Sequence, residues 1–296
     1  MKKIITVATR QSDLALRQTE IAINHLNNVF GADFEFKILK IKTTGDKILD
    51  KNLYEIGGKS LFTKEIEEAL LNGNADIAVH SMKDVTAEFT QGLQISAYLK
   101  REDPRDALIS RYSSIEKIPA GGRVGTSSSR RALFVRQLRP DLEILPLRGN
   151  VITRIKTLEN NDFDAIILAT AGLVRLGIDN GKYHPLLAIK FIPAICQGVI
   201  GLQSREDFKY NYLITKISDF DASVTSVCER EFLKFFNADC KTPIAGFAEI
   251  KADKLYFTGM YQAPGGEGVV ESAWGNISEP KILAIKVAEL INSKIK

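Results

Sequence analysis

A short apolar strand that runs into a polar, chemically loaded tail occurs twice in this chain, and the repeat restricts the fold more than any other feature. In the first copy Ile77, Ala78 and Val79 lead into His80-Ser81-Met82-Lys83-Asp84. In the second, Phe163-Asp164-Ala165-Ile166-Ile167-Leu168-Ala169 repeats the pattern. Apolar runs this short, bounded by turn residues, read as buried strands of a parallel sheet. In open α/β sheets the carboxyl end of such a strand is where ligands bind. Asp84 is therefore placed to present a carboxylate to a cleft, with Lys83 beside it.

What precedes each copy also matches. A strand over 3–8 passes through Thr9-Arg10-Gln11-Ser12 into a helix that Ser12 caps, with Asp13 in its first turn. In the second half, Val124-Gly125-Thr126-Ser127-Ser128-Ser129-Arg130-Arg131 again joins strand to helix through hydroxyls and arginine. Two such halves face to face would form a cleft with helix N-termini on both walls, and such N-termini attract anions. Between the two copies lie a strand over 34–41, a polar turn at Lys42-Thr43-Thr44-Gly45-Asp46, and a loose stretch over 47–58. Its few periodic apolar residues, before Gly57-Gly58-Lys59, predict a mobile lid. Phe62, Ile66, Ala69 and Leu70 mark a helix that ends at Gly73. A strand over 92–99 precedes a charged, proline-containing linker over 100–106, and 193–198 reads as a second crossing, with a strand over 199–204 returning to the first unit. Beyond that the alternation changes: a helix over 221–236, strands over 244–251, 255–261 and 269–274, and a closing helix over 280–295, a separate α+β unit. The predicted organisation is thus 1–99 with 199–216, then 103–193, then 219–296.

Composition narrows what such a chain does. Its 296 residues suffice for two or three domains, and 45% hydrophobic against 26% charged residues is the balance of a soluble globular protein. No apolar run approaches the roughly 18–20 residues of a membrane span, so no membrane partner is expected. The start, Met1-Lys2-Lys3-Ile4, imitates a signal peptide, but Arg10 ends the apolar segment too early. Cys196, Cys228 and Cys240 have neither disulfide-framework nor zinc-ligand spacing, which predicts free thiols in a reducing cytoplasm and no metal site. Net charge is only +4, yet 123–154 holds seven arginines and no lysine against Asp141 and Glu143. That cluster favours a polyanion, whether nucleic acid, phosphates or several carboxylates. Arginine without lysine leans toward bidentate capture of planar anions. Phe134 is the one aromatic in the stretch, so the interleaved stacking residues of a nucleic-acid binder are lacking.

At this resolution the chain resembles the porphobilinogen deaminase family. The matching segments are Ala8-Thr9-Arg10-Gln11-Ser12, Gly57-Gly58-Lys59, His80-Ser81-Met82-Lys83-Asp84-Val85, Arg101-Glu102-Asp103-Pro104-Arg105-Asp106, Gly125-Thr126-Ser127-Ser128, Arg130-Arg131, Leu147-Arg148-Gly149-Asn150-Val151 and Ala171-Gly172-Leu173. The match runs from Thr6 to the end of the third unit. It implies an α/β fold of two periplasmic-binding-protein-like domains with mixed sheets facing a cleft, plus a small α+β C-terminal domain that bears a cysteine. It implies a cytoplasmic, monomeric transferase that joins four porphobilinogen molecules head to tail with loss of ammonia, and a covalently held dipyrromethane cofactor. By position in the motif, Cys240 is the attachment point, through a thioether.

The implied chemistry assigns roles. Loss of ammonia leaves an electron-poor methylene pyrrolenine, and pyrrole nitrogens carry positive charge as the chain grows. A fixed carboxylate that tracks this charge stabilises the transition state and assists proton transfer, and the resemblance gives both roles to Asp84. Every ring also bears an acetate and a propionate. For the cofactor's carboxylates the resemblance implies Lys83, Arg130, Arg131 and Arg154, with Ser81, Thr126, Ser127, Ser128 and Gln197. For the substrate's it implies Arg10, Ser12, Lys59, Arg148 and Arg175. Four places depart from the family pattern: Thr86 for a proline, Asn237-Ala238-Asp239 for a glycine-rich approach to Cys240, the order Ala245-Gly246, and Cys196 where glycine is usual. If that glycine holds a positive φ, a cysteine there costs on the order of 1 kcal/mol. Cys196 and Cys228 otherwise read as small core residues. The rival reading is a two-domain anion-binding protein without chemistry, which needs neither Asp84 nor Cys240.

Overall fold

A computed structural model describes residues 2–47, 61–160, 162–238 and 242–295. Lys59 and Cys240, and the predicted lid beyond Lys47, lie outside the described residues. In chain order the elements are β1 (Lys3–Arg10), α1 (Asp13–Phe30), β2 (Phe34–Ile41), α2 (Thr44–Lys47), α3 (Lys64–Leu71), β3 (Ile77–Ser81), β4 (Leu93–Tyr98), β5 (Asp106–Ser110) and β6 (Arg123–Gly125). They continue with α4 (Ser129–Leu138), β7 (Glu143–Leu145), α5 (Val151–Glu159), β8 (Ala165–Ala169), α6 (Thr170–Arg175), β9 (His184–Pro185), β10 (Ile200–Arg205) and α7 (Asn211–Ile214). Last come α8 (Phe220–Phe235), β11 (Ile244–Lys251), β12 (Lys254–Gln262), β13 (Gly268–Asn276) and α9 (Pro280–Asn292).

Two five-stranded sheets share one plan. The first has the order β2-β1-β3-β10-β4 and the second β7-β6-β8-β5-β9. In each, the first three strands are parallel and the fourth runs antiparallel to both neighbours. The fourth strand of each sheet is the one that follows a crossing from the other half: β5 opens the second unit, which is one continuous stretch of chain, and β10 returns to the first. Both central runs are buried along their length, as their apolar composition requires: Ile77 to His80 in β3 and Ala165 to Leu168 in β8.

Helix α1 forms where its sequence signals it. The Ser12 hydroxyl accepts the Ala15 N–H at 3.3 Å, and Gly31, at φ +75°, ends the helix while its N–H returns to Asn27. Gln18, Ala22, Leu26 and Phe30 recur every four residues and bury one stripe. Leu26 and Phe30 each contribute roughly 1.5–3 kcal/mol by burial, and Leu26→Ala would cost about 2–5 kcal/mol. Strands β5, β7 and β9 escaped the sequence reading. The linker over 100–106 ends inside β5, because Asp106, which looks like a solvated charge, is fully buried.

The third unit is the antiparallel meander β11-β12-β13 with α8 and α9 on one face, around Phe232, Phe257, Leu283 and Val287. The same apolar cluster takes in Met82 and Val85 after β3, and Ile195, Cys196 and Val199 of the second crossing. Cys196 has φ +55°, so a side chain occupies the left-handed position that glycine favours, and it is fully buried. At Gly198 the two crossings touch: a Cβ there would stand 2.3 Å from the Glu102 carbonyl oxygen. Glu229 on α8 ties both crossings to the third unit. It accepts from Arg101 at 2.8 Å, from the Ala248 N–H at 2.8 Å and from the Cys196 N–H.

Candidate active site

Strand β3 ends in a single 3₁₀ turn, Met82–Asp84. The Met82 N–H donates to the Val199 carbonyl at 3.0 Å and its side chain is buried, which fixes the turn against the second crossing. Lys83 and Asp84 line a cleft of about 640 Å³ between the two α/β units. The Asp84 side chain keeps 33% of its surface exposed. Behind it His80 is buried, with Nε2 at 2.9 Å from the Gln203 Oε1. Gln203 donates its amide to Glu67 at 2.9 Å, which makes Gln203 Oε1 the acceptor and puts the imidazole proton on Nε2. Burial pushes the His80 pKa below its ordinary value.

The opposite wall is built on the second unit. Ser128 caps α4 by accepting the Arg131 N–H, and Asn150 caps α5 by accepting the Thr153 N–H at 2.8 Å. Arg148 and Arg154 flank that cap, and the Arg154 Nε donates to the Gly149 carbonyl at 2.8 Å. Arg131 donates to Asp106 at 2.9 and 2.7 Å and to the Ile167 carbonyl at 2.8 Å. Arg130 donates to Asp106 and to the Ile192 carbonyl, both at 2.7 Å. Gln197 Nε2 adds contacts to Asp106 at 3.1 Å and to the Pro104 carbonyl at 2.7 Å. Arg175 reaches the crossing, donating to the Gly198 carbonyl at 2.6 Å.

These groups crowd positive charge on one side. Burial, with Arg131 and Arg148 nearby, pulls the Arg154 guanidinium down to about 10; burial alone brings Arg175 to about 10. Although burial alone would raise it, Arg130 and Arg131 hold the Asp106 carboxyl well below the usual carboxylate range. The protein on both sides of the cleft lowers the Lys83 ammonium. Lys83 is nonetheless exposed to the water in the cleft, and that water limits the shift, so its direction is what counts. Cations destabilised by each other and by enclosure are an anion site set in advance, because a bound carboxylate relieves both penalties.

Of the residues singled out in the sequence, Arg10, Ser12, Ser81, Lys83, Asp84, Ser127, Arg131, Arg148, Arg154, Arg175 and Gln197 line this one cleft. Arg130, Thr126 and Ser128 stand behind its surface. Arg130 is 4% exposed and engaged by Asp106, the Thr126 hydroxyl accepts the Ser128 N–H, and Ser128 is spent as a cap. The sequence reading passed over Lys42, Asp46, Phe62 and His80, which also line the cleft. Lys42 and Asp46 follow β2 as Lys83 and Asp84 follow β3, so the rule that ligands gather at strand ends would have found them.

With this geometry established, known proteins are informative. A family model described as "Porphobilinogen deaminase, dipyromethane cofactor binding domain" matches residues 5–211, and one described as the C-terminal domain of porphobilinogen deaminase matches 223–293. A porphobilinogen deaminase of Vesicomyosocius okutanii subsp. Calyptogena okutanii (strain HA) is 42% identical, over 97% of this chain and 95% of that one. One from Paenibacillus macerans is 42% identical over 99% of this chain and 89% of its own length. One from Acetivibrio thermocellus is 39% identical over 96% of each. Solved structures align more distantly: the aliphatic sulphonate binding protein SsuA from Escherichia coli has 12% identity and TM-score 0.42, over 80% of this chain and 71% of that one.

Proposed function

The chain belongs to the porphobilinogen deaminase family, the hydroxymethylbilane synthase transferases, and on that footing we propose that Asp84 is its catalytic carboxylate and that the facing arginines hold the acidic side chains of the growing pyrrole chain. One observation carries the reading: a carboxylate one-third exposed at the end of a buried strand faces Arg131, Arg148, Arg154 and Arg175 across a single cleft. No helix among the described residues is long and apolar enough to cross a membrane.

The donor set suits the dipyrromethane that the matched domain binds. Acetate and propionate groups call for guanidinium, ammonium and hydroxyl donors, and the cleft supplies them in Arg131, Arg148, Arg154, Lys83 and Ser127. Bound covalently, the group supplies the free pyrrole carbon to which the first porphobilinogen joins. We assign its thioether to Cys240, which the sequence places in the turn between α8 and β11. On this reading 1–99 with 199–216 forms the unit that carries Asp84, 103–193 the unit that carries the arginines, and 219–296 the unit that carries the anchor.

Each residue then has a physical task. Asp84 accepts the N–H groups of the pyrrole that loses ammonia, and its negative charge stabilises the cation that develops there. A carboxylate in that place also takes and returns a proton as rings join. The arginines fix ring orientation through carboxylates remote from the reacting carbon, so binding energy is spent on alignment. Lys83 and Arg154 keep Asp84 from standing as an isolated charge. The reading extends to a cytoplasmic monomer, and cysteines without disulfide-framework or zinc-ligand spacing suit that reducing compartment.

Denaturing mass spectrometry of the purified protein tests the assignment of the anchor. The intact mass should exceed that of the polypeptide by one dipyrromethane, with the extra mass on the peptide that contains Cys240. Cys240→Ala should fold and lack that mass. An adduct on another residue, or none in a fully active preparation, would overturn the anchor.

A further inference from the structure

We propose that Asp46 is a positioning residue for this reaction: it holds Arg10 back from Asp84, so that the Asp84 carboxylate stays open to the substrate. The inference rests on the reading of Asp84 as the catalytic carboxylate. It changes the expected role of Arg10 from a substrate clamp to a spacer between two carboxylates.

The geometry is a contest of two acids for one guanidinium. Arg10 Nε and Nη2 donate to the two oxygens of Asp46, the Nε bond being 3.3 Å. That edge of the guanidinium gives the strong, two-point mode of carboxylate binding. The remaining nitrogen, Nη1, stands 3.7 Å from Asp84 Oδ2, beyond hydrogen-bond length. Arg10 thus neutralises part of the field at Asp84 without covering its oxygens. Other contacts fix the arrangement. The Thr43 N–H and hydroxyl both donate to Asp46, at 3.3 and 2.8 Å, and lock its carboxylate at the start of α2. The Phe62 ring lies under the guanidinium, its centroid 4.3 Å from Cζ, and limits how the plane can turn.

Without the Asp46 charge, the preferred partner of Arg10 is Asp84, about 1 Å of movement away from hydrogen-bond length. A paired Asp84 would have its lone pairs occupied when the pyrrole N–H groups arrive. The charged and titratable groups that face Asp84 are Arg10 from β1, Lys83 from its own turn, His80 from β3, and Arg154 from α5 across the cleft. Of these, Arg10 alone is held by a second carboxylate on the same side of the cleft, so Asp46 controls the one cation that can move onto Asp84.

The test uses the holoenzyme in five forms: wild type, Asp46→Asn, Asp46→Glu, Arg10→Gln and the Asp46→Asn/Arg10→Gln double variant, with Asp84→Asn as a reference. Two quantities are read: kcat against pH, and the titration of the Asp84 carboxyl by carbon-13 NMR. Asp46→Asn should lower kcat about tenfold or more, the scale of one charged hydrogen bond misplaced. Its Asp84 titration and the acid limb of kcat should both move to lower pH, because Arg10 closes in and a like charge is gone. Asp46→Glu should restore most of the rate. In the Arg10→Gln background the Asp46 change should cost little and move Asp84 much less, since the two residues act as one unit. An Asp84 titration unmoved by Asp46→Asn, or a full additive loss in the double variant, overturns the inference. Turnover retained in Asp84→Asn would instead overturn the reading of Asp84, so the two failures are separable.

Discussion

The two α/β units have the same strand plan and opposite chemistry. On the first wall, the ends of β1, β2 and β3 bring Arg10, Lys42 and Lys83 together with Asp46 and Asp84. On the second, the matching region brings Ser127, Arg131, Arg148, Arg154 and Arg175, and among the described residues no acid lines the cleft there. The acid of the second unit, Asp106, sits behind the arginines and is fully buried. The repeat of the fold therefore supplies two strand-end sites, and the difference between them divides the work. On the proposed reading, one wall meets developing positive charge with a carboxylate, and the other holds negative side chains at a distance from the reacting carbon.

The sharpest way to break that division is to neutralise the first wall alone. Asp84→Asn keeps the shape of the side chain and removes the charge where the cation develops, so kcat should fall about 10³-fold or more. Substrate carboxylates would still meet the second wall, so KM should change far less. Steady-state kinetics with porphobilinogen separate the two. A large rise in KM with kcat preserved would mean that Asp84 binds rather than reacts.

The second wall should break by a different route. Asp106→Asn leaves Arg130 and Arg131 buried without their counter-charge, and truncating one side of such a cluster costs about 3–5 kcal/mol of stability. Urea unfolding would read that loss as a lower midpoint. The sign in pH follows from the depressed carboxyl of Asp106. Its contribution is fully present above the ordinary carboxylate pKa near ~4 and is lost as pH falls below that toward the folded value. In Asp106→Asn this acid-side loss should be absent. An unchanged acid limb of stability would place the counter-charge elsewhere.

Between the walls stands Lys83, and it tests how far the two share one anion site. Enclosure lowers its ammonium, so it begins to lose charge at a lower pH than an ordinary lysine. Carboxylate binding in the cleft should weaken on the alkaline side as Lys83 loses its charge, while Arg154 and Arg175, lowered only to about 10, lose theirs later. Isothermal titration with a pyrrole dicarboxylate should show the decline from pH 8 to 9.5 and lose it in Lys83→Met. Water in the cleft makes the effect a few-fold rather than a large one.

How much of this was legible in the chain follows from range. Local patterns carried most of the strands and the Ser12 cap, because periodicity and capping are decided within a few residues. The place of Asp84 followed from a rule about strand ends. What stayed illegible was pairing across distance. Nothing near Asp106 announces that it is the buried partner of two arginines more than twenty residues away, so it read as linker and Arg130 read as a cleft residue. Asp46 was passed over for the same reason, since its meaning comes from Arg10, on a different strand. Lys59 and Cys240 rest on the family resemblance alone.

The junction between the walls offers the smallest effect. The first crossing uses Arg101 and Glu102 in ordinary conformations, whereas the second places Cys196 at φ +55°. Left-handed backbone at a residue with a Cβ costs on the order of 1 kcal/mol, and Cys196→Gly would remove that strain. Against the gain stand the lost packing of a fully buried thiol and the greater freedom of glycine in the unfolded chain, each of similar size. The bond from the Cys196 N–H to the Glu229 carboxylate uses only the backbone of Cys196 and survives the change. The terms nearly cancel, so stability should stay within about 1 kcal/mol of wild type by urea unfolding. Cys228→Gly offers no such compensation: the thiol is equally buried, in the middle of α8, and glycine inside a helix adds about 1 kcal/mol of cost to the cavity. If both substitutions destabilise equally, the positive φ at Cys196 carries no strain, and the two crossings are joined with the same ease.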